Sequence, residues 1–187
     1  MQLIIIRHHK EVRKPSNSAR TLYNSIQDCS MYTYGEQHSV FPDIRAYYEN
    51  AALLFPITES TPPSVTYHPE DVVPKCLIIV DGSWRQATRI VKRIPGLEAL
   101  ARMNVRPATN PLPKIRHPHF AEGMSTMEAG IEALRPYIPA TDLQILEHNY
   151  LYWIEEIRKS SGLQETLEPG MSFRMARLAE QSNKQSK

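Results

Sequence analysis

The run Cys76–Arg93, CLIIVDGSWRQATRIVKR, carries five apolar residues straight into a carboxylate. Asp81 therefore stands where a buried strand ends. A carboxylate there is partly shielded from water, which raises its proton affinity and suits it to general-base work. Gly82 permits a turn or the close approach of a ligand to the backbone. Ser83 is placed to N-cap the helix that follows, whose free N–H groups form a seat for a carboxylate or phosphate. Trp84 can cover the core or stack on a flat ring. Arg85, Arg89 and Lys92 recur at i, i+4 and i+7, so one flank of that helix is basic. An ordinary structural reading exists beside each of these, since Asp-Gly-Ser is common turn chemistry and tryptophan fills cores.

Two further clusters carry reactive side chains. Glu122–Ala129 reads EGMSTMEA, and Ser125 with Glu128 has the spacing of a capping box before an apolar helix. Its hydroxyls beside a glycine would also suit a polar ligand. Arg7–Glu11 reads RHHKE, so titratable groups end the first apolar run. His8, His9 and Glu11 could suggest a metal, but no further His or Cys lies at ligand spacing, and no metal is expected. Neither a GxGxxG after a strand nor a GxxxxGK[ST] loop is present, which leaves the usual glycine-rich routes to a nucleotide unsupported.

The elements that must hold these residues alternate. Leu3–Ile6, Ala51–Phe55 and Cys76–Val80 are strand-length apolar runs. Asn17–Asp28 has helical spacing, with Ala19, Leu22, Tyr23 and Ile26 on one side. Trp84, Ala87, Ile90 and Val91 mark the inner face of a second helix, ended by Ile94-Pro95-Gly96. Ser125–Leu134 is a third, with Met127, Ile131 and Leu134 in register. Thr141–Lys159 is the longest, with Thr141 and Gln144 spaced as a capping box and Leu146, Tyr150, Trp153, Ile154 and Ile157 as its buried stripe. The proline-rich stretches 57–75 and 104–120 read as a long loop and an irregular segment. Strands alternating with helices predict an α/β domain with a mostly parallel sheet flanked by helices, whose ligands bind beyond the carboxyl ends of the strands.

With 187 residues, 41% hydrophobic and 22% charged, the chain suits one domain, expected over residues 1–180, followed by a polar, frayed tail at 181–187. No apolar run reaches membrane-spanning length, MQLIIIRHHKE is unlike a secretion signal, and Cys29 and Cys76 are the only cysteines. A cytoplasmic protein without a membrane partner is expected. Net charge is only +2, but its distribution is uneven. From Arg85 to His119, eight basic residues face Glu98 alone, and from Met1 to Arg20 five face Glu11 alone. Such patches suit a polyanion, or a solvated face balanced by acids elsewhere.

Taken together, these segments resemble the DTW-domain family, named for an Asp-x-Thr-Trp motif after a buried strand. Asp81-Gly82-Ser83-Trp84 stands in that place, with serine for threonine, which keeps the hydroxyl. His8 and Glu11 match a His-x-x-Glu motif. Asn17, Ala19 and Arg20 match an Asn-x-Ala-Arg-like helix start, and Leu54-Phe55-Pro56 matches a Leu-x-Pro strand end. Gly123, Ser125, Thr126, Glu128 and Ala129 match Gly-x-Ser-Thr-x-Glu-Ala. The chain lacks the N-terminal cysteine cluster, similar to a zinc site, with which many members begin.

The resemblance implies a tRNA-uridine aminocarboxypropyltransferase that uses S-adenosylmethionine as co-substrate, with a SPOUT-like fold containing a deep knot. On that reading Asp81 is the general base for N3 of the uridine. The helix starts at Ser83 and at Ser125-Thr126 hold the donor's carboxylate, Leu54, Phe55, Pro56 and Met124 wall its adenosyl group, and Gly82, Trp84 and Glu128 also belong to the donor site. His8, Glu11, Arg20, Arg85, Arg89, Lys92 and Arg116 meet tRNA or another structured RNA. Two alternatives remain at this level: a SPOUT-like RNA methyltransferase and a non-catalytic RNA-binding module.

Overall fold

Leu3-Ile4-Ile5-Ile6 forms the middle of strand β1 (Gln2–His8), and all four residues are buried. A computed structural model of the chain describes residues 1–36, 41, 43–44, 50–57, 66–67, 73–108, 112–114 and 123–161. Because side chains alternate along a strand, Leu3 and Ile5 enter one core while Ile4 and Ile6 enter another on the opposite face. That two-sided burial is what a continuous β-branched run predicts.

Strands β2 (Cys29–Tyr34), β3 (Ala51–Leu54), β4 (Thr66–Tyr67), β5 (Cys76–Asp81) and β6 (Ala101–Met103) complete a six-stranded sheet of order β2-β1-β5-β3-β6-β4. Every pairing is parallel. The α/β class with a parallel sheet is thus as expected. Three strands were not visible in the hydropathy. β2 (CSMYTY) is half-buried along its whole length and shows neither a continuous run nor a clean alternation. β6 is three residues long, and β4 lies inside the proline-rich stretch read as a loop.

Helices α1 (Ser18–Ser25), α3 (Thr126–Leu134) and α4 (Ala140–Ser161) cover one face, and α2 (Trp84–Arg93) covers the other. α1 ends three residues sooner than the spacing predicts. Its buried residues are Ser18, Ala19 and Leu22, while Tyr23 faces solvent. α4 begins at Ala140, so Thr141 lies inside the first turn and does not open a capping box with Gln144; the buried stripe of Leu146, Tyr150 and Ile154 stands, joined by Leu151. Trp84 lies outside the core and is exposed. α1 and α3 approach closely at Gly130, where a Cβ would come within 2.6 Å of Leu22 Cδ2. That contact needs a glycine, and it brings the two helix starts side by side.

Among the described residues no helix is long and apolar enough to cross a membrane. Arg116 and the 181–187 tail lie outside the described residues.

Candidate active site

The pairing of β1 with β5 sets Arg7 beside Asp81 at the carboxyl edge of the sheet. Leu77 and Ile79 pack toward α1, α3 and α4, and alternation turns Asp81 to that same side. There it meets two helix starts. Asn17 is the N-cap of α1: its Oδ1 accepts from the Arg20 N–H at 3.0 Å, and its Nδ2 donates to Asp81 Oδ2 at 2.7 Å. Thr126, the first residue of α3, donates its hydroxyl to Asp81 Oδ1 at 2.6 Å. Ser18 Oγ accepts from the Met127 N–H at 3.3 Å and ties the two starts together. One carboxylate thus joins residues 64 and 45 positions away in the chain.

Asp81 is 5% exposed. Burial raises its proton affinity above that of an ordinary aspartate; the Thr126 and Asn17 hydrogen bonds oppose this, as does Arg7, while Glu11 adds to it. Both hydrogen-bond donors are neutral, and among the described residues no cation is bonded to the carboxylate. A carboxylate offers about four lone-pair sites, and these two bonds leave acceptor capacity for an incoming N–H.

The start of α3 is largely satisfied from within. Ser125 N-caps it, the Ser125 N–H donates to Glu128 Oε2 at 2.7 Å, and the Glu128 N–H donates to Ser125 Oγ at 3.3 Å. Glu128 is buried. With the Met127 N–H on Ser18, the amides at this start have partners except that of Thr126, for which no bond is seen among the described residues. At α2, Ser83 is the N-cap as expected, and its N–H donates to Gln86 Oε1 at 2.7 Å. Gln86 was missed from sequence, although Ser83 and Gln86 have the same S-x-x-E/Q spacing as Ser125 and Glu128. Gly82 lets this turn close on its neighbours: a Cβ there would lie 3.1 Å from Gln86 Cβ and 3.5 Å from His8 Cβ.

Leu54 and Phe55 are buried and Pro56 is exposed; Met124 is half-buried just before α3. Phe55 stacks on Trp84, with centroids 5.3 Å apart and planes 16° apart. Arg102, which sequence reasoning did not single out, is 1% exposed and lies over the Phe55 ring at 5.1 Å. Burial lowers the proton affinity of its guanidinium, and its Nε and Nη1 have no hydrogen-bond partner among the described residues. Its one sequence signal is its place between apolar neighbours, Ala101 and Met103.

His8 ends β1 on the α2 side of the sheet and is buried; its Nδ1 accepts from the Lys10 N–H at 3.2 Å. Glu11 is also buried and pairs with Lys14 at 2.7 Å. Among the described residues no group of three His, Cys, Asp or Glu could hold a metal ion. Arg85, Arg89 and Lys92 are exposed along α2. Arg85 and Arg89 line a cleft of about 410 Å³ together with His8, His9, Lys10, Ser83 and Gln86. Arg20 is exposed on α1, against the other face of the sheet.

A family model, the DTW domain, matches residues 1–167. The chain belongs to the DTW-domain family. The match spans every motif segment described above. Membership is consistent with an activity in tRNA modification. No curated protein and no solved structure matches the chain. In this DTW domain, segments far apart in sequence meet at one point: the strand tip with Asp81, the α1 start with Asn17 and the α3 start with Thr126.

Proposed function

We propose that the protein transfers the 3-amino-3-carboxypropyl group of S-adenosylmethionine to N3 of a uridine in tRNA and releases methylthioadenosine. The observation that carries this reading is Asp81: buried, raised in proton affinity, and held only by neutral donors. Uridine N3 bears a proton at neutral pH, so it attacks carbon only as that proton leaves. A carboxylate of raised proton affinity is suited to accept it. Asn17 and Thr126 fix both oxygens of Asp81, so its orientation is set before substrate arrives.

S-Adenosylmethionine supplies a sulfonium, which activates the adjacent carbons toward a nucleophile. In the proposed reaction the N3–C bond forms at the γ-carbon, the bond from that carbon to sulfur breaks, and the N3 proton passes to Asp81. The residues fit a cationic donor: Asp81 and Glu128 are buried acids to which no cation is bonded among the described residues, and Arg7 acts on Asp81 only at longer range. Leu54 and the half-buried Met124 offer apolar surface for the adenosyl group, whereas Phe55, buried against Trp84 and Arg102, does not; the N–H of Thr126, without a partner among the described residues, is the available donor at the α3 start. Arg85, Arg89 and Lys92 supply cations for phosphates.

The test is product analysis of the purified protein with tRNA and S-adenosylmethionine. Methylthioadenosine and an aminocarboxypropylated uridine are expected. Recovery of S-adenosylhomocysteine with a methylated nucleoside would replace this reading with methyl transfer. RNA binding without any donor binding would leave a non-catalytic module. The Asp81→Asn protein should lose roughly 10²–10⁴-fold in rate.

A further inference from the structure

We propose that Arg7 binds the α-carboxylate of S-adenosylmethionine and thereby turns the γ-carbon, rather than the methyl, toward the uridine. This rests on the donor reading given above and adds the residue that grips the donor's charged end.

Arg7 and Asp81 are register partners on neighbouring parallel strands, which lie about 4.8 Å apart. Leu3 and Ile5 enter the core beneath α1, α3 and α4, so alternation turns Arg7 to the side on which Asp81 lies. An arginine beside an aspartate ordinarily closes a forked ion pair. Here both oxygens of Asp81 accept from neutral groups, Asn17 and Thr126, and Arg7 acts on the carboxylate only through space. Arg7 is half-buried, and its Nε, shut off from water, has no hydrogen-bond partner among the described residues.

The length of the donor's arm limits where its carboxylate can lie. In a near-attack arrangement N3 stands about 3–3.5 Å from the γ-carbon. It lies within about 3.2 Å of the oxygen that takes its proton. Three bonds of about 1.5 Å join the γ-carbon to the carboxyl carbon. The carboxylate thus falls within about 10 Å of Asp81, inside the reach of a long side chain on the next strand. Among the described residues the other cations are engaged or turned away. Lys14 is bonded to Glu11 and Lys114 to the Gly123 carbonyl. Arg20 is exposed on α1, and Lys10, Arg85 and Arg89 line the cleft on the α2 side. At the α3 start the amides of Ser125, Met127 and Glu128 are taken, which leaves that of Thr126. One neutral N–H is a weak seat for a full charge beside a second carboxylate.

Two carboxylates brought together repel unless a cation stands with them. Arg7 supplies it: a planar guanidinium takes a carboxylate bidentately, and its charge also offsets that of Asp81. The sulfonium activates its methyl and its γ-carbon alike. An arm held at its far end fixes which of the two faces the base, and alignment then decides the product.

Methylthioadenosine lacks the arm, and decarboxylated S-adenosylmethionine keeps the arm without its carboxylate. By calorimetry, the Arg7→Met protein should bind S-adenosylmethionine on the order of 10- to 100-fold more weakly than wild type. Its affinity for methylthioadenosine should stay within about twofold of wild type, which also reports an intact fold. Wild type should prefer S-adenosylmethionine to the decarboxylated form, and Arg7→Met should not distinguish them. Arg7→Lys should recover part of that preference. Equal losses toward S-adenosylmethionine and methylthioadenosine, in Arg7→Lys as well as Arg7→Met, would make the arginine structural and overturn the proposal. So would an unchanged affinity for S-adenosylmethionine with weakened tRNA binding, which would give Arg7 to a phosphate. A wild type that binds no S-adenosylmethionine would overturn both readings. An aminocarboxypropylated product with the preference intact in Arg7→Met would keep the transfer reading and strike Arg7. A methylated product with the preference lost would strike the transfer reading and keep Arg7 on the carboxylate.

Discussion

Replacing Asp81 by asparagine should remove activity without weakening the fold at neutral pH. Asparagine can keep both contacts, its Oδ1 accepting from Asn17 Nδ2 and its Nδ2 donating to the Thr126 hydroxyl. Exchanging two charge-assisted hydrogen bonds for neutral ones costs about 1–1.5 kcal/mol each, so ~2–3 kcal/mol in total. Against that stands relief from holding a charge at a site 5% exposed, several kcal/mol for a buried ion. The carboxyl's proton affinity is raised in spite of both hydrogen bonds, which means that desolvation is the larger effect. The sign follows from linkage. Asp81 binds its proton more tightly folded than unfolded, so its contribution is full below the unfolded value near 3.8 and is lost as pH rises through the folded one. Urea unfolding should therefore find Asp81→Asn and wild type close at the acid end, with the variant level or ahead at pH 7. A variant level with wild type in acid but about 1 kcal/mol or more weaker at pH 7 would refute this. The two helix starts and their hydrogen bonds would then outweigh burial, and the carboxyl would be an ordinary low-affinity acid, poorly matched to the base role.

The neighbours of Asp81 give separable outcomes. Asn17→Ala should cost about 1–2 kcal/mol through the lost cap, whereas Asn17→Asp keeps a cap acceptor but sets a second carboxylate against Asp81 Oδ2. It should be the less stable of the two at pH 7 and recover on acidification, as urea unfolding at two pH values would show. Thr126→Val removes the donor to Asp81 Oδ1, so the acid limb of the pH–rate profile should move to higher pH, with Thr126→Ser restoring it. Burial pushes the Cys29 thiol up to about 12 and the Cys76 thiol up to about 11. Alkylation at pH 8 should therefore leave both untouched in the folded protein and label both in concentrated urea.

What could be read from the chain depended on the range of the signal. β1, β3 and β5 announce themselves because burial on both faces leaves an unbroken apolar run, and α3 because Ser125 and Glu128 satisfy each other locally. β2 and β6 owe their strand character to parallel partners, Leu3–His8 and Ala52–Leu54, supplied by other segments. Trp84 fits the apolar spacing of α2 yet stays exposed, stacked on Phe55. The meeting of Asn17, Asp81 and Thr126 was legible only as motifs occurring in a known order, a resemblance that the match over residues 1–167 bears out. Hydropathy carries no trace of a hydrogen bond between side chains 64 positions apart. The deep knot rests on the resemblance alone.

The placement of β1 has a consequence for biosynthesis. Its edge opposite β2 pairs with β5, whose first residue is Cys76. At 5–20 residues per second, a ribosome needs roughly 3–14 s to travel from the end of one strand to the start of the other. Through that interval an isoleucine-rich ribbon leaves the tunnel with open amides and carbonyls along one side, the kind of template that recruits stray strands. Slower translation lengthens the wait, so a cell short of holdase chaperones should lose this protein to inclusion bodies before it loses any by unfolding.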